Sequence, residues 1–208
     1  MFISFEGIDG SGKSTQAELL AGRLRREGRD VVALREPGGT ALGERIRKLL
    51  LDGPEMSPWA EAALFAAARA ELVAEVIAPA LARGADVVSD RYVDSSLVYQ
   101  GVARGLGIDS VYELNVAVTA GLLPARTFVL LLDPADSHAR LTGTRDRIER
   151  EDDSFVRRLD EGYRRIVSMF PERCVALDAA RPADEIAEEV HAELARSDTR
   201  AVRGEATA

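Results

Sequence analysis

Residues 7–15 read Gly7-Ile8-Asp9-Gly10-Ser11-Gly12-Lys13-Ser14-Thr15. They fit the pattern G-x-x-x-x-G-K-[ST] without a mismatch. Glycines in such a loop let the backbone turn its N–H groups inward, the following helix N-terminus adds partial positive charge, and the lysine brings a full charge to the outer phosphates. Residues 7–15 are therefore a candidate phosphate cradle with Lys13 as its catalytic cation, and Ser14 has the hydroxyl that such loops place on Mg²⁺. Asp9 fits this chemistry poorly. A carboxylate among phosphate-facing amides is repelled by the donor, so it is expected to turn toward a hydroxyl, as on a sugar.

A second acid follows the apolar run "DVVSD", which delivers Asp90 to the end of a strand, where ligands bind in open α/β sheets. Asp90 is a candidate to organise Mg²⁺ or accept a proton, and Arg91 beside it suits a phosphate. "LREPGGT" brings Arg35 to the same edge, with a glycine pair that allows close backbone approach. The charged stretch "TGTRDRIER" carries Arg145, Arg147 and Arg150, read as a lid over about 142–153 that closes on a transferring phosphoryl group; Arg145 and Arg147 are the first choices. Asp133 before Pro134 reads instead as a helix N-cap.

These residues need a frame. Five apolar runs, "FISFE", "VVALR", "DVVSD", "TFVLLLD" and "CVALD", alternate with helix-periodic sequence. Strands joined through helices imply a mostly parallel sheet covered on both faces, a doubly wound α/β domain. One domain is expected over 1–195. Leu20, Ala21 and Leu24 share one face of the first helix, which Gly28 stops. A longer helix runs from Pro58 toward Leu81, with Pro79 expected to end or kink it.

Composition narrows the class. Lys plus Arg number 27 against 35 Asp plus Glu, and a formal charge of −8 repels a polyanion, so nucleic acid is not expected as a partner. No stretch approaches the length of a membrane span, and the glycine-rich loop breaks the N-terminal apolar run, so neither membrane nor secretion is expected. The single cysteine, Cys174, excludes an internal disulfide and is read as a small apolar residue of the last strand in a cytoplasmic protein. The histidines, His138 and His191, are read as solvated, and 196–208 as a flexible tail.

A phosphate loop alone permits kinases, GTP switches, motors and transport ATPases. The set "FEGIDGSGKST", "REPGGT", "LFAAAR", "DRYVDSSLVYQG" and "RDRIERED", in this order, closely resembles the bacterial thymidylate kinases, over nearly the whole chain to about Leu194. The resemblance implies the five-stranded parallel sheet of the P-loop nucleoside monophosphate kinases, ATP and Mg²⁺ as donor and cofactor, dTMP as acceptor, and a homodimer. Residue by residue, it implies that Asp9 meets the 3′-hydroxyl of dTMP, that Arg35 and Arg91 hold the acceptor phosphate, and that Phe65 stacks on thymine. It places Arg69, Ser96 and Gln100 at the base, and Tyr99 against the sugar 2′ position. Because Ile8, Asp9, Gly10 and Ser11 bring no basic group to the loop, the resemblance gives that charge to the lid. Another nucleoside monophosphate or deoxynucleoside kinase, a nucleotide-dependent switch or partner-binding ATPase, and a nucleotide-binding structural protein stand as alternatives.

Overall fold

The computed structural model describes residues 1–141 and 146–204, with side chains as far as 196. All five apolar runs are strands: β1 (Phe2–Gly7), β2 (Val31–Arg35), β3 (Asp86–Asp90), β4 (Arg126–Leu131) and β5 (Cys174–Asp178). They form one parallel sheet in the order β2-β3-β1-β4-β5. The chain leaves β1 toward one edge for β2 and β3, then crosses to the other for β4 and β5. The carboxyl end of β1 is thus the switch point at which a doubly wound sheet opens a crevice.

Helices cover both faces: α1 (Lys13–Arg26), α2 (Ala41–Asp52), α3 (Pro58–Leu72), α4 (Ala78–Ala82), α5 (Val93–Ser96), α6 (Ile108–Thr119), α7 (Pro134–Arg140), α8 (Asp153–Met169) and α9 (Ala183–Gly204). Their starts follow local chemistry. Thr40, Ser57, Asp133 and Asp152 each accept a backbone N–H at a helix entrance, and Pro58 and Pro134 occupy first-turn positions where a missing donor costs nothing. Gly28, at φ 83°, ends α1 as expected.

Pro79 does not end its helix. Between α3 and α4 the chain widens into a π-helical segment, Val73–Ile77, and Ala78 N–H reaches back to Val73 O. A proline ring clashes with the carbonyl four residues earlier, and the wider turn carries the helix past that clash. A second π-helical segment, Leu97–Ala103, follows α5 and carries Tyr99 and Gln100.

Phe5, Val87, Val88, Phe128 and Val129 are fully buried at the centre of the sheet, beneath Leu20 and Leu24 on one face and Leu97, Val98 and Ile166 among the residues covering it. Cys174 is buried at the start of β5, and burial pushes its thiol up to about 12, so it is an inert core residue. No helix among the described residues is long and apolar enough to cross a membrane.

Candidate active site

The loop after β1 has glycines where the backbone is crowded or takes a positive φ. Gly7, at φ 142°, would place a Cβ 2.5 Å from the Leu130 carbonyl oxygen, and Gly12 enters α1 through the left-handed region at φ 94°. Ile8 anchors the loop by packing into the core, and Ser137 of α7 donates to the Asp9 carbonyl at 2.6 Å. Lys13 is buried. Its ammonium donates to the Ile8 carbonyl at 2.8 Å and lies 3.7 Å from Asp9 Oδ1. Burial, then the charge of Arg91, pulls its pKa down to about 8.

Register explains how the next acids and bases arrive. Asp90 ends β3 opposite Phe5 of β1 and Arg35 of β2, so β2 and β3 finish together beside the last residues of β1 and the loop that follows it. Ser14 Oγ donates to Asp90 Oδ2 at 2.5 Å. Asp90 Oδ1 is buried with no hydrogen-bond partner among the described residues. Two hard oxygen ligands beside a phosphate loop, one carboxylate oxygen unsatisfied, fit Mg²⁺.

Arg91 turns into the cleft at φ 73°, a conformation rare outside glycine. Its guanidinium donates to Gly7 O (3.1 Å), Ser95 Oγ (3.0 Å), Tyr163 Oη (3.1 Å), Tyr99 Oη (3.1 Å) and Asp9 Oδ1, and lies over the Tyr99 ring. Asp9 also accepts from the Tyr99 hydroxyl at 3.3 Å. Burial works against its charge, but Arg91 and Lys13 outweigh burial and hold Asp9 down at about 2. The acid that looks out of place in a phosphate loop is thus clamped between two cations.

Behind Arg91 stands Glu6, fully buried, which accepts from Tyr92 N–H (2.7 Å) and Ser95 Oγ (2.5 Å); burial, with Asp94 nearby, pushes it up to about 8. Nothing in the sequence beyond the position of Glu6 before the loop marks it.

One cleft of about 500 Å³ joins these groups to the rest of the expected set: Lys13, Ser14, Thr15, Arg35, Phe65, Arg69, Asp90, Arg91, Ser96, Tyr99 and Gln100 all line it. Arg35 is half exposed and 3.6 Å from Glu44. Phe65 is half-buried between the main core and a smaller cluster around Ile46 and Leu50. Arg47 and Arg140 line the cleft as well, and no motif in the sequence singles them out.

Arg69 turns from α3 into the protein interior. It is almost wholly buried and every nitrogen of its guanidinium is engaged: Nε on Glu36 (2.8 Å), Nη1 on Ser96 Oγ (3.0 Å) and Asn115 Oδ1, Nη2 on Glu36 and on Tyr92 O (3.0 Å). Glu36 is the neighbour of Arg35 in "REPGGT", yet its partner lies 33 residues away, a distance no sequence periodicity reports.

The expected lid arginines divide. Arg145 lies outside the described residues. Arg147 does not face the cleft: it is buried and donates to Leu50 O (2.9 Å) and Glu61 Oε2 (2.8 Å). A charged run reads as solvated unless its partner is known, and Glu61, buried on α3, is what draws Arg147 inward. Arg150 is exposed, with its N–H bonded to Asp146 O at 3.1 Å.

A thymidylate kinase family model matches residues 5–190. The chain belongs to the thymidylate kinase family. Similar curated proteins named thymidylate kinase include one from Caldanaerobacter subterraneus, 49% identical over 85% of this chain and 86% of that protein. One from Deinococcus radiodurans is 46% identical over 92% of this chain and 95% of the other. A crystal structure of thymidylate kinase from Ehrlichia chaffeensis superposes with a TM-score of 0.78 at 33% identity, covering 93% of this chain and 98% of that one. The parallel five-stranded sheet with its phosphate loop at the switch point is the thymidylate kinase fold, as the motif set implies.

Proposed function

We propose that the cleft transfers the γ-phosphoryl of ATP directly to dTMP, giving dTDP and ADP. The observation that carries this reading is the meeting of two anion-recognising poles in one cleft, the Gly7–Thr15 loop with Lys13 and the Arg91–Arg35 wall. Membership in the thymidylate kinase family supplies the acceptor.

The phosphate loop receives the ATP phosphates, and the acceptor phosphate meets Arg35 and Arg91. An acceptor phosphate oxygen forms the new bond to the γ-phosphorus while the bond to the β,γ-bridging oxygen breaks and ADP leaves. That acceptor oxygen is already anionic, so no strong general base is needed. Alignment and charge neutralisation by Lys13 and Arg91 carry the rate. Ser14 and Asp90 are the residues to hold Mg²⁺, which when bound neutralises donor phosphate charge.

Phe65 offers a face for thymine to stack on. Arg69, Ser96 and Gln100 border the base, and any contact from Arg69 is shared with the partners it already holds. Asp9 is assigned to the 3′-hydroxyl, and Tyr99 to crowding the 2′ position. Arg145, from outside the described residues, is assigned to neutralise the transferred group; Arg147 is assigned to hold the segment before α8 in place. The protein is read as a cytoplasmic homodimer, which sedimentation equilibrium tests directly.

An ADP-release assay over a panel of nucleoside monophosphates tests the assignment. dTMP should give the highest kcat/KM; ATP hydrolysis indifferent to dTMP would replace the kinase reading with that of an ATPase switch.

A further inference from the structure

Glu61, in the first turn of α3, has 1% of its surface exposed and touches neither phosphate pole. Its carboxylate is saturated. Oε1 accepts from Gln100 Nε2 (2.9 Å) and Arg104 Nε (3.2 Å), and Oε2 accepts from Arg104 Nη2 (3.2 Å) and Arg147 Nη2 (2.8 Å). Burial works against the charge, but the hydrogen bonds from Gln100, Arg104 and Arg147 outweigh it and lower the pKa, so the group is a carboxylate at neutral pH.

A carboxylate offers only lone pairs. The amide of Gln100 therefore has one orientation open to it, with its NH₂ toward Glu61 and its oxygen turned away. That oxygen has no protein donor among the described residues, and Gln100 borders the cleft beside Phe65 and Ser96. The clamp is itself held: Arg104 pairs with Glu151 at 2.5 Å and lies 4.6 Å over the Phe155 ring.

We propose that Glu61 is a positioning residue that determines base specificity: by fixing the Gln100 oxygen toward the base it makes the pocket demand a ring N–H, admitting thymine and uracil and refusing cytosine. The inference rests on the dTMP reading above. Thymine and uracil carry a hydrogen on N3; cytosine presents a bare lone pair there, which would meet the Gln100 oxygen lone pair to lone pair. A glutamine free to flip its amide would serve both kinds of base. The discrimination therefore resides in Glu61, one residue removed from the base.

The test compares kcat/KM for dTMP, dUMP and dCMP in the full chain, unsubstituted and as Glu61→Gln and Glu61→Asp. The glutamine can present either an oxygen or an NH₂ and so frees the amide of Gln100. Aspartate keeps the charge for Arg104 and Arg147 but withdraws the acceptor by one methylene, and serves as the fold-preserving variant, checked by circular dichroism. Sites that hydrogen-bond a substrate N–H reject analogues lacking it by factors of about 10⁴. Both variants should lower the dTMP-to-dCMP ratio by at least about tenfold, leave the dTMP-to-dUMP ratio within about twofold and leave the KM for ATP unchanged. A dTMP-to-dCMP ratio that stays put in a folded variant overturns the proposal. So does an equal loss against all three acceptors, which a merely structural role produces. Failure of the unsubstituted chain to phosphorylate dTMP instead removes the reading beneath it.

Discussion

The Arg91 guanidinium donates to Asp9 Oδ1 while the Lys13 ammonium stands 3.7 Å from the same oxygen. One acid therefore stands between the cation of the phosphate loop and the cation at the end of β3. Lys13 and Arg91 repel each other, and the negative charge of Asp9 between them offsets that repulsion.

Lys13 should show itself in the pH profile. Its pKa, drawn down to about 8, means that the free protein loses this charge as pH rises through that value. The kcat/KM for ATP should accordingly fall above about pH 8, because this parameter reports the free enzyme. Lys13→Arg should abolish that limb in whatever activity remains, and Lys13→Ala should lower kcat by about 10²–10³ at saturating nucleotides. A profile identical in the arginine variant would assign the limb elsewhere.

Asp9 contributes stability with a definite sign. Its folded pKa, about 2, lies below the ordinary value of 3.8, so the contribution is present above about pH 4 and is lost as pH falls toward 2. For a carboxylate a third exposed, the effect is on the order of 1–2 kcal/mol. Urea unfolding should find Asp9→Asn weaker than the unsubstituted protein by that amount at pH 7, with the gap closing at pH 2. Deleting the 3′-hydroxyl from dTMP should then cost kcat/KM in the unsubstituted protein and much less in Asp9→Asn.

Asp90 is the proposed partner of the metal. With one oxygen buried and unsatisfied, Asp90→Asn replaces an acceptor by an amide and removes the charge facing a dication. The Mg²⁺ concentration for half-maximal velocity should rise about 10- to 100-fold, while the KM for dTMP moves little. Chelation with EDTA should stop turnover in both proteins.

The parts of the site that lie close together along the chain are legible in the residues themselves. The loop from Gly7 to Thr15 declares its chemistry by spacing, and Asp90, Arg91 and Arg35 declare theirs by standing at the ends of apolar runs that become β3 and β2. The pairings are not legible. Glu36 with Arg69, Glu61 with Arg147 and Glu6 with Ser95 join residues 33, 86 and 89 positions apart, so neither partner carries a local sign of the other. Arg147 reads as a lid residue for this reason: its run is charged, and only a buried acid from α3 reveals that it turns inward. The π-helical turn that carries the helix past Pro79 is not legible either, because it leaves no mark in the pattern of apolar residues.

The Glu36–Arg69 pair should behave as a buried salt bridge whose halves depend on each other. Both groups are nearly inaccessible. Removing either partner leaves an uncompensated charge, at a cost of about 3–5 kcal/mol. Glu36→Gln and Arg69→Met should each lower the unfolding free energy read from urea melts by an amount in that range. The double variant should lose less than the sum, because no lone charge remains. Additivity would mean that the two side chains act independently.

Phe65 separates a base platform from a core residue. It is half-buried, packs against both apolar clusters and also faces the cleft, so Phe65→Ala removes both packing and any stacking surface. Stacking of a base on an aromatic ring is worth about 1–3 kcal/mol, which predicts a rise of about 10- to 100-fold in the KM for dTMP. Packing lost at the core would lower the melting temperature without preference for either substrate. A KM for ATP that rises as much as that for dTMP would therefore place Phe65 in the core alone. Phe65→Leu sharpens the contrast: it keeps most of the apolar volume and discards the ring, so stability should largely return while the KM for dTMP stays high.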